Sequence, residues 1–129
     1  VPVLCGLETY ANVHHLVSVI TSELKDGHGI GDLIGATFPG GSITGAPKIR
    51  AMEIIAEIER APRGVYCGAI GYIGFNGRTD LNIAIRTAQF SDGVARVQGG
   101  GGITARSVPA AEYEESLTKI RRIMEAFKP

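Results

Sequence analysis

The sequence predicts an α+β domain, an antiparallel β-meander with flanking helices. From Val65 onward apolar and polar residues alternate, and the alternation is punctuated by Asn76-Gly77 and Asp92-Gly93, both strong hairpin signals. Three other stretches, 13–25, 47–60 and 109–127, repeat their apolar residues at helical spacing. A glycine-rich segment, Phe38 to Lys48, feeds the second of them and reads as a loop that opens a helix.

Taken in order, Val1 to Tyr10 is short, apolar and interrupted, the end of a strand entering from sequence further upstream. Asn12 is a good N-cap, and Val13, Leu16, Val17, Ile20 and Leu24 share one face of a helix over 13–25. Asp26-Gly27-His28-Gly29 closes it, and Leu33 and Phe38 mark a short helix over 31–37. In the glycine-rich loop, Pro47 suits a first helical turn and Thr44 or Gly45 suits the cap. Positions 51, 54, 55 and 58 then give the helix its buried stripe. Val65–Ile73 reads as a strand with Tyr66 at its start and Tyr72 in the core. Asp80–Phe90 is the return strand, Leu81, Ile83, Ile85 and Thr87 facing one way, Asn82, Ala84, Arg86 and Ala88 the other. Val94–Gln98 completes a three-stranded meander, and Gly99 to Gly102 break the ladder. Ser107 caps a last helix whose stripe is Tyr113, Leu117, Ile120, Met124 and Phe127.

At 129 residues the chain fits one domain. Its 13 basic and 13 acidic residues cancel, which argues against a nucleic acid or an anionic membrane as partner. No apolar run approaches the length of a membrane span. Cys5 and Cys67, without a recognisable signal peptide, point to reduced thiols and a cytoplasmic protein. The Val1-Pro2 start agrees with a truncated or processed product.

Several groups could carry chemistry. Glu112, Glu115 and Lys119, at i, i+3 and i+7, lie on one line of the last helix. Such a pair of carboxylates suits Mg²⁺, which takes few protein ligands; the alternative is a solvated face with a Glu115–Lys119 pair. Arg86, held by a strand, suits bidentate capture of a carboxylate, unless it is merely solvated. His14 and His15 point about 100° apart on a helix and make poor joint metal ligands. Gly100, Gly102 and Ala105 loosely fit a dinucleotide fingerprint, but hairpin-joined strands lack the parallel βαβ unit it needs. The Walker pattern fails as well, because Ala46 and Pro47 stand where its Lys and Ser/Thr belong.

GGSITGAPKIRAMEII (40–55) resembles the signature of the chorismate-utilising enzymes, in wording closest to the aminodeoxychorismate synthase component I branch. The anthranilate synthase branch typically carries Thr where this chain has Ser42. VHHLVS (13–18), CGAIGYIGFNGRTDLNIAIRT (67–87), the glycine run and EYEES (112–116) extend the resemblance nearly end to end. It implies a domain of two facing antiparallel sheets with helices outside, of which this chain is the C-terminal portion, its upstream half absent. It implies Mg²⁺ as cofactor, with Glu115 a direct ligand and Glu112 holding the metal's waters. Ser42, Tyr66, Arg86, Lys119 and the backbone of Gly100, Gly101 and Gly102 would bind chorismate. His15 would act as general acid at the hydroxyl leaving C4. A glutamine amidotransferase partner would deliver ammonia, and the product would be 4-amino-4-deoxychorismate, on the way to para-aminobenzoate and folate. The nucleophilic lysine of a PIKGT motif and a second Glu cluster would lie upstream, so this portion alone would be inactive and would self-associate. An anthranilate or isochorismate synthase relative, and a non-catalytic binding module, are the alternatives. Arg106 departs from the family's usual Asp, which exchanges a helix-favouring charge near the last helix for an opposing one.

Overall fold

The computed structural model of the chain describes residues 1–10 and 13–128. Two compact units form, Val1–Thr37 and Phe38–Pro129. The first is a hairpin of β1 (Val3–Tyr10) and β2 (Val13–Val19), followed by α1 (Ile30–Thr37). β1 and β2 run antiparallel with Gly6 opposite Val17, Leu7 opposite Leu16, and Glu8 opposite His15.

The helix expected over 13–25 is therefore a strand. Its helical spacing was real, but Val13, Val17 and Val19 are β-branched, and pairing with β1 outweighs a weak local preference. The expected cap, Asn12, lies outside the described residues. α1 falls within a residue of its expected place, and the Asp32 carboxylate accepts the Gly29 N–H at 2.8 Å just ahead of it.

The second unit begins with the glycine-rich loop. Gly41–Thr44 is itself a helical turn, α2, and α3 follows over Lys48–Ile58. Neither Thr44 nor Gly45 caps α3: Pro47 is the N-cap and the Thr44 hydroxyl donates to the Gly40 carbonyl at 3.1 Å. Gly45 has φ +121°, and a Cβ there would stand 3.1 Å from that of Ala51, so glycine is required by both backbone and space.

β3 (Ala69–Ile73) and β4 (Thr79–Ile83) pair antiparallel across the Asn76-Gly77 turn, where Asn76 Oδ1 accepts the Arg78 N–H at 3.1 Å. β5 (Ala88–Ser91) and β6 (Val94–Val97) pair across Asp92 and Gly93, both at positive φ as this hairpin turn demands. α4 (Pro109–Glu125) packs on β6. Antiparallel strands and helices thus appear as expected, with one difference of topology. The return strand breaks after Ile83, so the described residues form separate two-stranded ladders in place of a three-stranded meander. At the break the Ile85 N–H bonds the Ile83 carbonyl at 2.9 Å and Arg86 turns to φ +51°.

Little of this is buried. Among the described residues Ala84 alone lies in a core, and Tyr72, expected inside, is 57% exposed. Ile58 on α3 and Tyr113 on α4, members of the expected buried stripes, are open as well. The chain exposes 10595 Å² at 13.6 kDa. A folded monomer of that mass exposes roughly 6,600 Å², so about 4,000 Å² more than usual faces water. Exposed large apolar side chains lie on β1, β2, β3 and α4, among them Leu7, Leu16, Tyr72 and Tyr113, and contiguous apolar surface recruits a cover. Prepared alone, the chain is expected to associate, as a symmetric dimer that covers its hairpins. Light scattering at micromolar concentration with a hydrophobic dye checks this; a strictly monomeric, dye-silent chain would contradict it.

Candidate functional site

α4 starts at Pro109, whose missing N–H costs nothing in a first turn. Val108 is its N-cap, and the Ser107 hydroxyl, expected to cap it, accepts the Thr104 N–H at 3.0 Å. Arg106 does not prevent the helix, which runs 17 residues with Glu112 in its first turn. Glu112, Glu115 and Lys119 line one side, as their spacing predicts. Lys119 Nζ lies 2.6 Å from Glu115 Oε1 and also donates to the Gly100 carbonyl at 3.1 Å.

The glycine run lies directly on this helix. A Cβ on Gly99 would stand 2.8 Å from both the Ser116 carbonyl oxygen and Ile120 Cγ2. One on Gly101 would meet Glu112 Oε2 at 3.1 Å, Lys119 Nζ at 3.6 Å and Glu115 Oε1 at 3.7 Å. One on Gly100 would meet the Tyr66 hydroxyl at 3.0 Å. Two carboxylates, an ammonium, a phenol and bare backbone therefore converge over a few ångströms.

Tyr66 precedes β3 and sits in a turn, not at a strand start. Its N–H bonds the Arg63 carbonyl at 3.2 Å, and Cys67 beside it has φ +65°. Burial pushes the phenol above its ordinary pKa, the neighbouring Cys67 adds to the rise, and Arg63 opposes it. Arg63 forms a bidentate pair with Glu59, at 2.6 and 2.8 Å, which holds the Glu59 carboxyl below its usual range. Ile43, Met52, Ile55, Glu59, Arg63 and Tyr66 are among the walls of one cavity of about 500 Å³. Sequence reasoning passed over Glu59 and Arg63, although their i, i+4 spacing past the end of α3 was a readable sign.

Ser42 is exposed in α2. Gly102 has open space where a Cβ would be. Arg86 was expected mid-strand; it is exposed in the break between β4 and β5, in a left-handed conformation uncommon outside glycine. His15, expected on a helix, is half-buried on β2 in the first unit, its ring 6.0 Å from that of Tyr10 in an edge arrangement. His14 points to the other side and shares a 3.1 Å contact with the Thr9 hydroxyl. Among the described residues no three His, Cys, Asp or Glu side chains form a metal cluster.

Residues 1–125 match the chorismate binding enzyme family, and the chain belongs to it. It is 51% identical over 124 residues to aminodeoxychorismate synthase component 1 of Salmonella typhimurium, covering 96% of this chain and 27% of that protein. It is 48% identical over 122 residues to anthranilate synthase component 1 of Aquifex aeolicus, covering 95% and 25%. Among solved structures, anthranilate synthase component I from Streptococcus pneumoniae superposes with a TM-score of 0.86 at 43% identity, covering 92% of this chain and 27% of that one. The chain therefore spans about a quarter of the length of the relatives it matches.

The close seating of the glycine run generates a test. Gly99→Ala has to push α4 aside and is expected to destabilise the second unit by about 1–3 kcal/mol. Gly102→Ala, facing open space, is expected to leave stability unchanged. Thermal melts of the two variants compare them directly.

Proposed function

We propose that this chain is the C-terminal portion of a chorismate-aminating enzyme, and that its second unit carries one wall of the chorismate site. The convergence of Tyr66, Gly100, Gly101, Glu112, Glu115 and Lys119 carries the reading. Chorismate is a dianion, and bare glycine backbone beside an ammonium suits the close approach of a carboxylate. Lys119 binds one carboxylate together with the backbone of Gly100, Gly101 and Gly102. Arg86 takes the enolpyruvyl carboxylate through its guanidinium fork, and its strained backbone agrees with a side chain aimed for function. Tyr66 and Ser42 complete the contacts, and His15 donates the proton to the departing C4 hydroxyl.

Glu112 Oε2 and Glu115 Oε1, both within 4 Å of one point over Gly101, fit the carboxylate share of a Mg²⁺ site. Glu115 would hold the ion directly and Glu112 its waters. Bound there, Mg²⁺ supplies positive charge against the substrate's carboxylates.

Nitrogen enters as ammonia from a glutamine amidotransferase subunit or domain, in the cytoplasm, and Ser42 favours 4-amino-4-deoxychorismate as the product. Anthranilate is the second reading, favoured by the anthranilate synthases among relatives of similar identity. In the full polypeptide that carries this chain, chorismate, ammonia and Mg²⁺ are expected to yield aminodeoxychorismate; fluorescent anthranilate in its place selects the second reading. Glu115→Ala is expected to abolish turnover, and Arg86→Ala to cost about 2–4 kcal/mol of substrate binding. The 129-residue chain alone is expected to be inactive. Wild-type kinetics in either variant would refute the role of that residue.

A further inference from the structure

The Glu59–Arg63 pair stands between two substrate-binding elements and belongs to neither. Arg63 is 25% exposed, and both Glu59 oxygens hold its guanidinium, at 2.8 Å through Nε and 2.6 Å through Nη2. With the fork so fixed, Nη1 reaches the Ile43 carbonyl at 3.4 Å. Ile43 follows Ser42 in α2, a turn already stiffened by bonds from the Ile43, Thr44 and Gly45 N–H groups to the Gly40 and Gly41 carbonyls. On the other side, the Arg63 carbonyl accepts the Tyr66 N–H at 3.2 Å. The Cys67 N–H then bonds the carbonyl of buried Ala84 at 2.9 Å. One residue thus ties the Ser42 turn, through its side chain, to the Tyr66 turn, through its backbone. Ile43, Glu59, Arg63 and Tyr66 share the walls of the same cavity.

We propose that Arg63, held in place by Glu59, is a positioning residue that sets the Ser42-bearing turn against the Tyr66-bearing turn. The inference rests on the substrate roles given above to Ser42 and Tyr66. A lysine has no planar fork and cannot hold Glu59 and reach Ile43 in one fixed geometry. A small misplacement of binding groups is felt strongly in substrate affinity.

The test uses Arg63→Met, Arg63→Lys and Glu59→Gln in the full polypeptide that carries this chain. KM for chorismate is expected to rise about ten- to hundred-fold in Arg63→Met and Glu59→Gln, with kcat changed far less. Arg63→Lys is expected to recover only part of that loss. The Tyr66 phenol, followed by ultraviolet difference titration against Tyr66→Phe, is expected to titrate higher in Arg63→Met, because the opposing guanidinium is gone. Unchanged KM in both Arg63→Met and Glu59→Gln overturns the proposal. Should Arg63→Met fail to fold, Glu59→Gln, which keeps the shape and removes one charge, decides alone. A wild-type polypeptide that turns over no chorismate sinks the functional reading separately, and amide hydrogen exchange at Ile43 and Thr44 then decides: exchange faster in Arg63→Met is expected, and unchanged exchange overturns the positioning role.

Discussion

The site depends on one close approach, that of the 99–101 backbone to α4. A helix surface normally carries a layer of side chains, and a loop crossing it is held off by that layer. Here the loop brings no side chains of its own, so its backbone descends to the Ser116 carbonyl and to Ile120. The Lys119 ammonium is then close enough to bond the Gly100 carbonyl while still paired with Glu115. With any larger residue at Gly99 the loop would ride higher, and the acidic line on α4 would face solvent without a second wall. Gly99, Gly100 and Gly101 are to that extent a specification of distance.

The same economy leaves the chain poor in core. Hairpins β3–β4 and β5–β6 are joined by a break, and each shows apolar residues to water, Ile73 and Phe90 among them. The polar connections that remain are therefore prominent. The Glu59–Arg63 pair is three-quarters covered on its arginine side, and a charge so placed gains from its partner more than a fully solvated one does. Such a pair adds little to stability at a surface, and its value lies in fixing a direction.

How much of this was legible in the sequence depends on what kind of interaction decides each element. α1, α3, α4 and the two hairpin turns follow local rules: apolar spacing, Pro at a first turn, Asn-Gly and Asp-Gly between strands. All were read near their observed places. The line of Glu112, Glu115 and Lys119 is a consequence of helical geometry and was read with the helix. β2 is decided by its pairing with β1, from Tyr10 opposite Val13 out to Val3 opposite Val19, and Val13 to Leu24 is short enough to satisfy the helical period by accident. The break at Arg86 left no trace in the alternation of residues 80–90, because a single left-handed residue changes direction without changing the pattern. Tyr66 was placed on a strand for the same reason: Val65 and Cys67 extend the alternation backwards into what is a turn. Distances between the glycine run and α4 could not be read at all, since they arise from tertiary packing.

Positions from separate motifs of the family resemblance shape the second unit. Gly45 fixes the entry to α3, the glycine run sits on α4, and the acidic line faces it. On the proposed reading the wall meets the carboxylates of chorismate, a task that does not depend on which product forms. The chain is about 50% identical to aminodeoxychorismate synthases and to anthranilate synthases alike. Product choice requires a difference at the ring carbon that receives nitrogen, whereas the proposed wall of backbone, ammonium and carboxylates would meet the substrate's ends. Of the residues proposed to meet substrate, Ser42 is the one at which the resemblance separates the two branches, with Thr typical of the anthranilate synthases. It also sits on the turn that Arg63 reaches through the Ile43 carbonyl, so on the proposed reading the fit around Ser42, where threonine would keep the hydroxyl and add a methyl, depends on the Glu59–Arg63 pair.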